Sequence, residues 1–109
     1  MGTGKEEDQE KGIMKIKILD SAEKDLEAGY LFYESRNPGL GAYFLDSLYA
    51  DIDSLAYFGG IHMAVFGYHR LLSRRFPFAV YYRVINNAVV VFAVLDCRRN
   101  PNWVREKLR

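Results

Sequence analysis

The chain is poor in cysteine and histidine, and that scarcity closes off whole classes of function. A single cysteine, Cys97, cannot form an intramolecular disulfide, and with only His62 and His69 beside it no zinc cluster is expected. A reducing, cytoplasmic compartment is expected, and no metal or cofactor. No apolar run approaches the roughly 20 residues needed to cross a bilayer, so no membrane association is expected. The N-terminus also lacks the charged-then-apolar order of a signal peptide. With 109 residues, half of them apolar, the chain suits one domain with one modest core.

What the chain does have is charge sorted along its length. From His69 onward nine basic residues (Arg70, Arg74, Arg75, Arg83, Arg98, Arg99, Arg105, Lys107 and Arg109) face only Asp96 and Glu106, a net of +7. Residues 1–68 carry −6, so the formal net charge of +1 conceals a strongly dipolar sequence. A basic end of this size attracts a polyanion or an acidic protein partner. It also serves a plainer purpose, keeping strand edges soluble.

Residues 1–12 are polar and charged, and read as a disordered leader or an expression remnant, leaving 13–109 as the domain. Met14 to Leu19 alternates apolar and basic, the pattern of an edge strand. Asp20 then reads as an N-cap with Glu23 three residues on, opening a helix of about four turns that ends at Asn37-Pro38-Gly39. A second helical run through Leu45, Leu48, Ile52 and Leu55 stops at Gly59-Gly60, so the two helices should form an antiparallel hairpin. Ile61 to Tyr68 is apolar but aperiodic and reads as a packed loop.

From Arg70 the signals are β. Two apolar runs flank Asn86-Asn87, a pair that tolerates the positive φ of a tight hairpin turn, which sets Ile85 opposite Ala88, Val84 opposite Val89 and Tyr82 opposite Val91. Strict alternation then puts Phe78, Val80, Tyr82, Val84, Val89, Val91, Ala93 and Leu95 on the core face. Tyr81, Arg83, Phe92, Asp96 and Arg98 fall on the other, where cationic and aromatic groups interleave as on an RNA-binding or protein-binding surface. Asn100-Pro101 reads as N-cap and first turn of a terminal helix holding Trp103, Val104 and Leu108. The expected class is α+β, in the order β-α-α-β-β-β-α.

That order, with Arg-Arg-Phe-Pro-Phe-Ala-Val-Tyr-Tyr-Arg-Val over 74–84 and Val-Leu-Asp-Cys-Arg-Arg-Asn-Pro-Asn-Trp over 94–103, resembles the RelE/ParE superfamily of toxins from type II toxin–antitoxin, or plasmid stabilisation, systems. The likeness spans about residues 14–105. It implies a small twisted antiparallel sheet under the helical hairpin, and a cognate antitoxin laid over helices and sheet, with homo-oligomers or hetero-oligomers both open. It also implies a target, either DNA gyrase for ParE-like members or messenger RNA on the ribosome for RelE-like endonucleases.

A nuclease needs groups that move protons as well as cations that hold phosphate. Arg83, Arg98 and Arg99 are the candidates for catalysis on that branch. However, Phe78 stands at the strand position that carries an arginine in RelE-like nucleases, Asp96 or Cys97 stands where several carry histidine, and the region near Arg105 lacks a tyrosine. Arg99 matches the arginine retained after the last strand. These departures favour the ParE-like branch, with a non-toxic nucleic-acid-binding module as a further alternative. Target binding is expected from Arg70, Arg74, Arg83, Arg98, Arg99 and Trp103, with Arg98 and Arg99 mattering more for activity than for folding. Trp103 is also expected to pack the terminal helix down, Tyr82 to be core, Cys97 to be a small buried hydrophobe, and His62 and His69 to stand outside the site.

Overall fold

The computed structural model describes residues 13–109, so the expected leader lies outside the described residues. Strand β1 (Lys15–Ile18) leads into α1 (Asp20–Arg36), α2 (Leu40–Asp53) and the single turn α3 (Leu55–Phe58). Then come β2 (Ala64–Val65), β3 (Tyr68–Leu72), β4 (Phe78–Ile85), β5 (Ala88–Asp96) and α4 (Pro101–Lys107). The strands form one sheet in the order β1-β5-β4-β3-β2. The α+β class and the expected element order hold, with two additions. The second helical run breaks at Ser54 into α2 and α3, and the segment read as a loop holds β2, joined to β3 by a tight turn at Phe66 (φ 55) and Gly67 (φ 85). Four strands are antiparallel, while the edge strand β1 joins β5 in parallel with Lys15 and Lys17 exposed.

Asp20 is not the N-cap. Leu19 holds that place without a side-chain cap, and Asp20 is the first helical residue, where its charge still complements the helix dipole. Between α1 and α2 the chain turns at Gly39 (φ 92), and the Glu34 carboxylate accepts the Gly39 N–H at 3.0 Å and the Gly41 N–H at 2.9 Å, replacing the bonds a helix start lacks. The β4–β5 hairpin keeps the expected register, with Asn86 and Asn87 at φ 52 and 63.

One expectation about the sheet is overturned. Tyr82 pairs with Val91 but Tyr81 pairs with Ala93, leaving Phe92 as a bulge on β5. Past it the alternation of β5 reverses, so Ala93 and Leu95 turn away from the helical hairpin and Val94 takes their place. Val84, near the hairpin tip, is exposed. The sheet therefore buries both faces. Ala22, Leu26, Phe44, Leu48, Ile52 and Leu55 cover Phe78, Val80, Tyr82, Val89, Val91 and Val94 on one side. On the other, Val104 and Leu108 of α4 cover Tyr68, Ala79, Tyr81, Ala93 and Leu95, and the Tyr68 hydroxyl donates to the Leu108 carbonyl at 2.9 Å.

The first core is closed by rings. Phe44 lies 5.0 Å from Phe78, 5.1 Å from Phe76 and 5.2 Å from Tyr33, edge-on or tilted, the arrangement aromatic pairs prefer. Phe44 approaches α1 at Gly29, where an added Cβ would sit 2.5 Å from the ring. Alanine is the better helix former by about 1 kcal/mol, but overpacking costs about 1–3 kcal/mol. Gly29→Ala is therefore expected to lose up to about 2 kcal/mol in urea unfolding. Adding Phe44→Leu should cost less in that background than in the wild type, because the smaller side chain relieves the clash.

Candidate functional site

Helix α4 divides the basic end of the molecule into two clefts. The larger, about 330 Å³, runs between α1 and α4 across the end of β5. Its floor is apolar, from Phe32, Phe78, Val94 and Leu95, and its rim carries Arg99, Lys107, Asp25 and Asp96. The Arg99 guanidinium lies 4.0 Å from the Trp103 ring centre and the Lys107 ammonium 5.5 Å from it, so the indole holds two cations at the mouth of the groove. The smaller cleft, about 140 Å³, lies on the far side of Arg99 and is lined by Arg70, Tyr81, Cys97, Pro101 and Val104, with Val65 and Phe66.

The expected site residues thus fall into separate groups. Arg70, Arg99 and Trp103 gather around α4. Arg98 does not join them. Its guanidinium grips Asp96 through two bonds, Nε to Oδ1 at 3.0 Å and Nη2 to Oδ2 at 2.8 Å, and this pairing drives the Asp96 pKa down. Arg83 lies over Tyr68, 4.0 Å from the ring centre, and donates to the Gly67 carbonyl at 3.1 Å, and because it is exposed to solvent the strand buries no charge there. Arg74 lines a third cleft with Ser47, Ala50 and Asp51, and its neighbour Arg75 donates to the Tyr43 hydroxyl at 2.8 Å. Trp103 is half-buried against the second core, so it both packs α4 and borders the groove.

Cys97 is exposed rather than buried, because β5 has ended at Asp96 and the chain turns outward there. Its surroundings still desolvate the thiol enough to raise its pKa, as burial raises that of the Tyr81 phenol, so neither is activated for nucleophilic chemistry. Asp25 was not anticipated. Its half-buried carboxylate accepts the Val94 N–H at 2.9 Å, and desolvation raises its pKa. A carboxylate three residues after Ala22 and one before Leu26, on the buried face of α1, was the signal available.

The histidines lie on the opposite face of the sheet, under the helical hairpin. Tyr82 accepts the Gly60 N–H at 2.9 Å and its hydroxyl meets His62 Nδ1, while His69 stacks on the Tyr82 ring and its Nδ1 donates to the His62 carbonyl at 2.7 Å.

Among the described residues no group of metal-binding side chains occurs, and no helix is long and apolar enough to cross a membrane. Architecturally this is a small α+β protein with a helical hairpin on one sheet face and a cation-rich terminal helix on the other. The sequence model for the ParE toxin of the type II toxin–antitoxin system parDE matches residues 16–101, and the chain belongs to that family. The solved structure described as the chromosomal ParDE TA system from P. aeruginosa has a similar fold, with a TM-score of 0.69 at 21% identity over 78% of this chain and 97% of that one. Comparison with curated protein sequences gives no match.

The histidine cluster makes stability depend on pH. With Tyr82 accepting from Gly60 and donating to His62, a proton on Nδ1 would leave the phenol proton without a partner. Desolvation, with His69 nearby, lowers the His62 pKa. The unfolded chain then binds more protons than the folded one, so stability is full above the unfolded histidine value near about 6.5 and declines as pH falls through it. The urea midpoint should be lower at about pH 5.5 than at about pH 7.5. His62→Gln should narrow that difference, and an unchanged difference would assign it to other groups.

Proposed function

We propose that the protein is a growth-inhibiting toxin that acts on DNA gyrase and is held inactive by a cognate antitoxin, a plasmid-stabilisation function exercised in the cytoplasm. Family membership supports the toxin class. The observation that favours gyrase over messenger RNA is that the carboxylates beside Arg99 are already engaged, Asp25 by the Val94 N–H and Asp96 by Arg98. Both histidines sit on the opposite sheet face, Asp96 is occupied by Arg98 with its pKa lowered, and the Tyr81 and Cys97 protons are held more tightly than usual. Cations whose neighbouring acceptors are already engaged suit recognition better than 2′-hydroxyl cleavage.

The α1–α4 groove is the seat proposed for the antitoxin. Its apolar floor and the cations at Arg99 and Lys107 fit an amphipathic, acidic segment. Phe32, a lining ring of the groove that is 44% exposed, is the natural anchor, since it packs against Tyr33 and is backed by Arg36.

Induction in cells should arrest growth, and co-expression of the antitoxin encoded beside the gene should relieve it. Purified protein should inhibit gyrase supercoiling, while transcript 5′ ends mapped after induction stay intact. Codon-phased cuts would instead establish the nuclease reading, and salt-sensitive nucleic-acid binding without growth arrest the plain binding module.

Phe32→Ala should weaken antitoxin binding by about 2 kcal/mol, roughly 30-fold in Kd, measured by calorimetry, with toxicity retained. Arg98→Ala, which removes an ion pair whose guanidinium is exposed, should leave the melting temperature nearly unchanged and toxicity largely intact. Arg99→Ala should reduce toxicity without unfolding.

A further inference from the structure

The smaller cleft shares only Arg99 with the α1–α4 groove, and its chemistry is different. Its polar side chains are Arg70, Arg99, Tyr81 and Cys97, and no carboxylate lines it. Asp96, just outside the cleft, is hydrogen-bonded to Arg98 through both oxygens, while its charge also acts on Arg99. Among the described residues neither Arg70 nor Arg99 makes a salt bridge. Arg99 is steadied by its stacking on Trp103, and Arg70 lies against the Tyr81 hydroxyl. With their pKa values raised, the phenol and thiol keep their protons at neutral pH, so all four groups can donate. The walls, Val65, Phe66, Pro101 and Val104, are apolar and strengthen any charge–charge contact made between them.

Two guanidinium groups in a cleft that no carboxylate lines suit a dianion. A carboxylate, with a single negative charge, would leave one cation uncompensated. A phosphate monoester brings nearly two negative charges at neutral pH and three acceptor oxygens. The volume, about 140 Å³, suits a single such group rather than a length of folded chain. We propose that the cleft between Arg70 and Arg99 is a binding site for one phosphate group, as inorganic phosphate or as a terminal phosphomonoester. This holds whatever the toxin's target, because binding is read on the isolated protein.

The test titrates the purified full chain with inorganic phosphate and, separately, with ribose 5-phosphate, in chloride at matched ionic strength and with acetate as the monoanionic control. Binding is followed by calorimetry and by the rate at which iodoacetamide alkylates Cys97, the only cysteine. The expected result is saturable one-to-one binding, with Cys97 protected over the same concentration range. Arg70→Gln and Arg99→Gln should each weaken it by about tenfold or more, whereas Arg74→Gln, in another cleft, should not. Arg99 is exposed, so Arg99→Gln keeps the test decisive if loss of Arg70 disturbs the fold beside Tyr81. Binding of both ligands, or of either alone, supports the site and tells free phosphate from a phosphate terminus. Absence of saturation, equal protection by acetate, or equal weakening by Arg74→Gln would overturn it.

Discussion

Strand β4 alternates without interruption from Phe78 to Tyr82, whereas β5 carries one residue too many, Phe92, between the pairs Tyr82–Val91 and Tyr81–Ala93. The surplus residue reverses which side of the sheet the second half of β5 presents. Without it, Ala93 and Leu95 would crowd the face already filled by Phe44 and Leu26, and Val94 would face out. With it, Tyr81, Ala93 and Leu95 form an apolar patch that must be covered, and α4 covers it through Val104 and Leu108. A seven-residue helix is too short to persist alone in water. Its existence rests on that patch, on the Asn100 cap, whose side chain accepts the Asn102 N–H at 2.7 Å, and on the Tyr68 hydroxyl at its end. The clefts on either side of α4 are therefore consequences of one extra residue in a strand.

The same arrangement sorts the basic charge into roles. Each arginine near the sheet has found something to lean on, but the supports differ in kind. Arg98 has a carboxylate and is electrically spent; Arg83 and Arg75 have aromatic rings and oxygen acceptors that hold their geometry without cancelling their charge. Arg99 has a ring on one side and open clefts on both others, and Arg70 has a phenol. The +7 of the C-terminal region is thus a poor guide to its active part. What matters is which cations keep their charge available in a partly desolvated cleft, where it acts more strongly than on an open surface.

Much of the fold was legible because local signals were strong. Asn86-Asn87 set the hairpin register, Asn37-Pro38-Gly39 and Gly59-Gly60 ended the helices, and alternation with lysines marked β1 as an edge. The hidden parts share a cause. A bulge leaves no mark in an apolar run such as Val-Val-Val-Phe-Ala-Val-Leu, where every residue suits either face, so the second core could not be read. The β2 turn escaped because Phe66 adopts a positive φ that its residue type does not announce, and the neighbouring Gly67 was the only clue. Cys97 was misplaced because the strand ends one residue before it. The site arginines were legible as a set, but their division into paired and available members depends on Asp96 and Trp103, contacts only the fold reveals.

The boundary between the two cores also explains Asp25. Strand β1 pairs only with Ala88–Val91, so β5 runs on beyond its neighbour and presents an open edge toward the α1–α4 groove. Open edges invite pairing with another chain. Here α1 supplies the missing partners: Ser21 Oγ donates to the Phe92 carbonyl at 2.8 Å and Asp25 accepts the Val94 N–H. The cost is a half-buried carboxylate beside apolar residues, which raises its pKa, offset by that hydrogen bond and by Lys107. The arrangement hinders strand addition at Phe92 and Val94 while leaving the Phe32 ring exposed in the groove. A segment entering the groove is therefore selected mainly by its side chains and its charge, since α1 already occupies the Phe92 carbonyl and the Val94 N–H of the edge it would pair with.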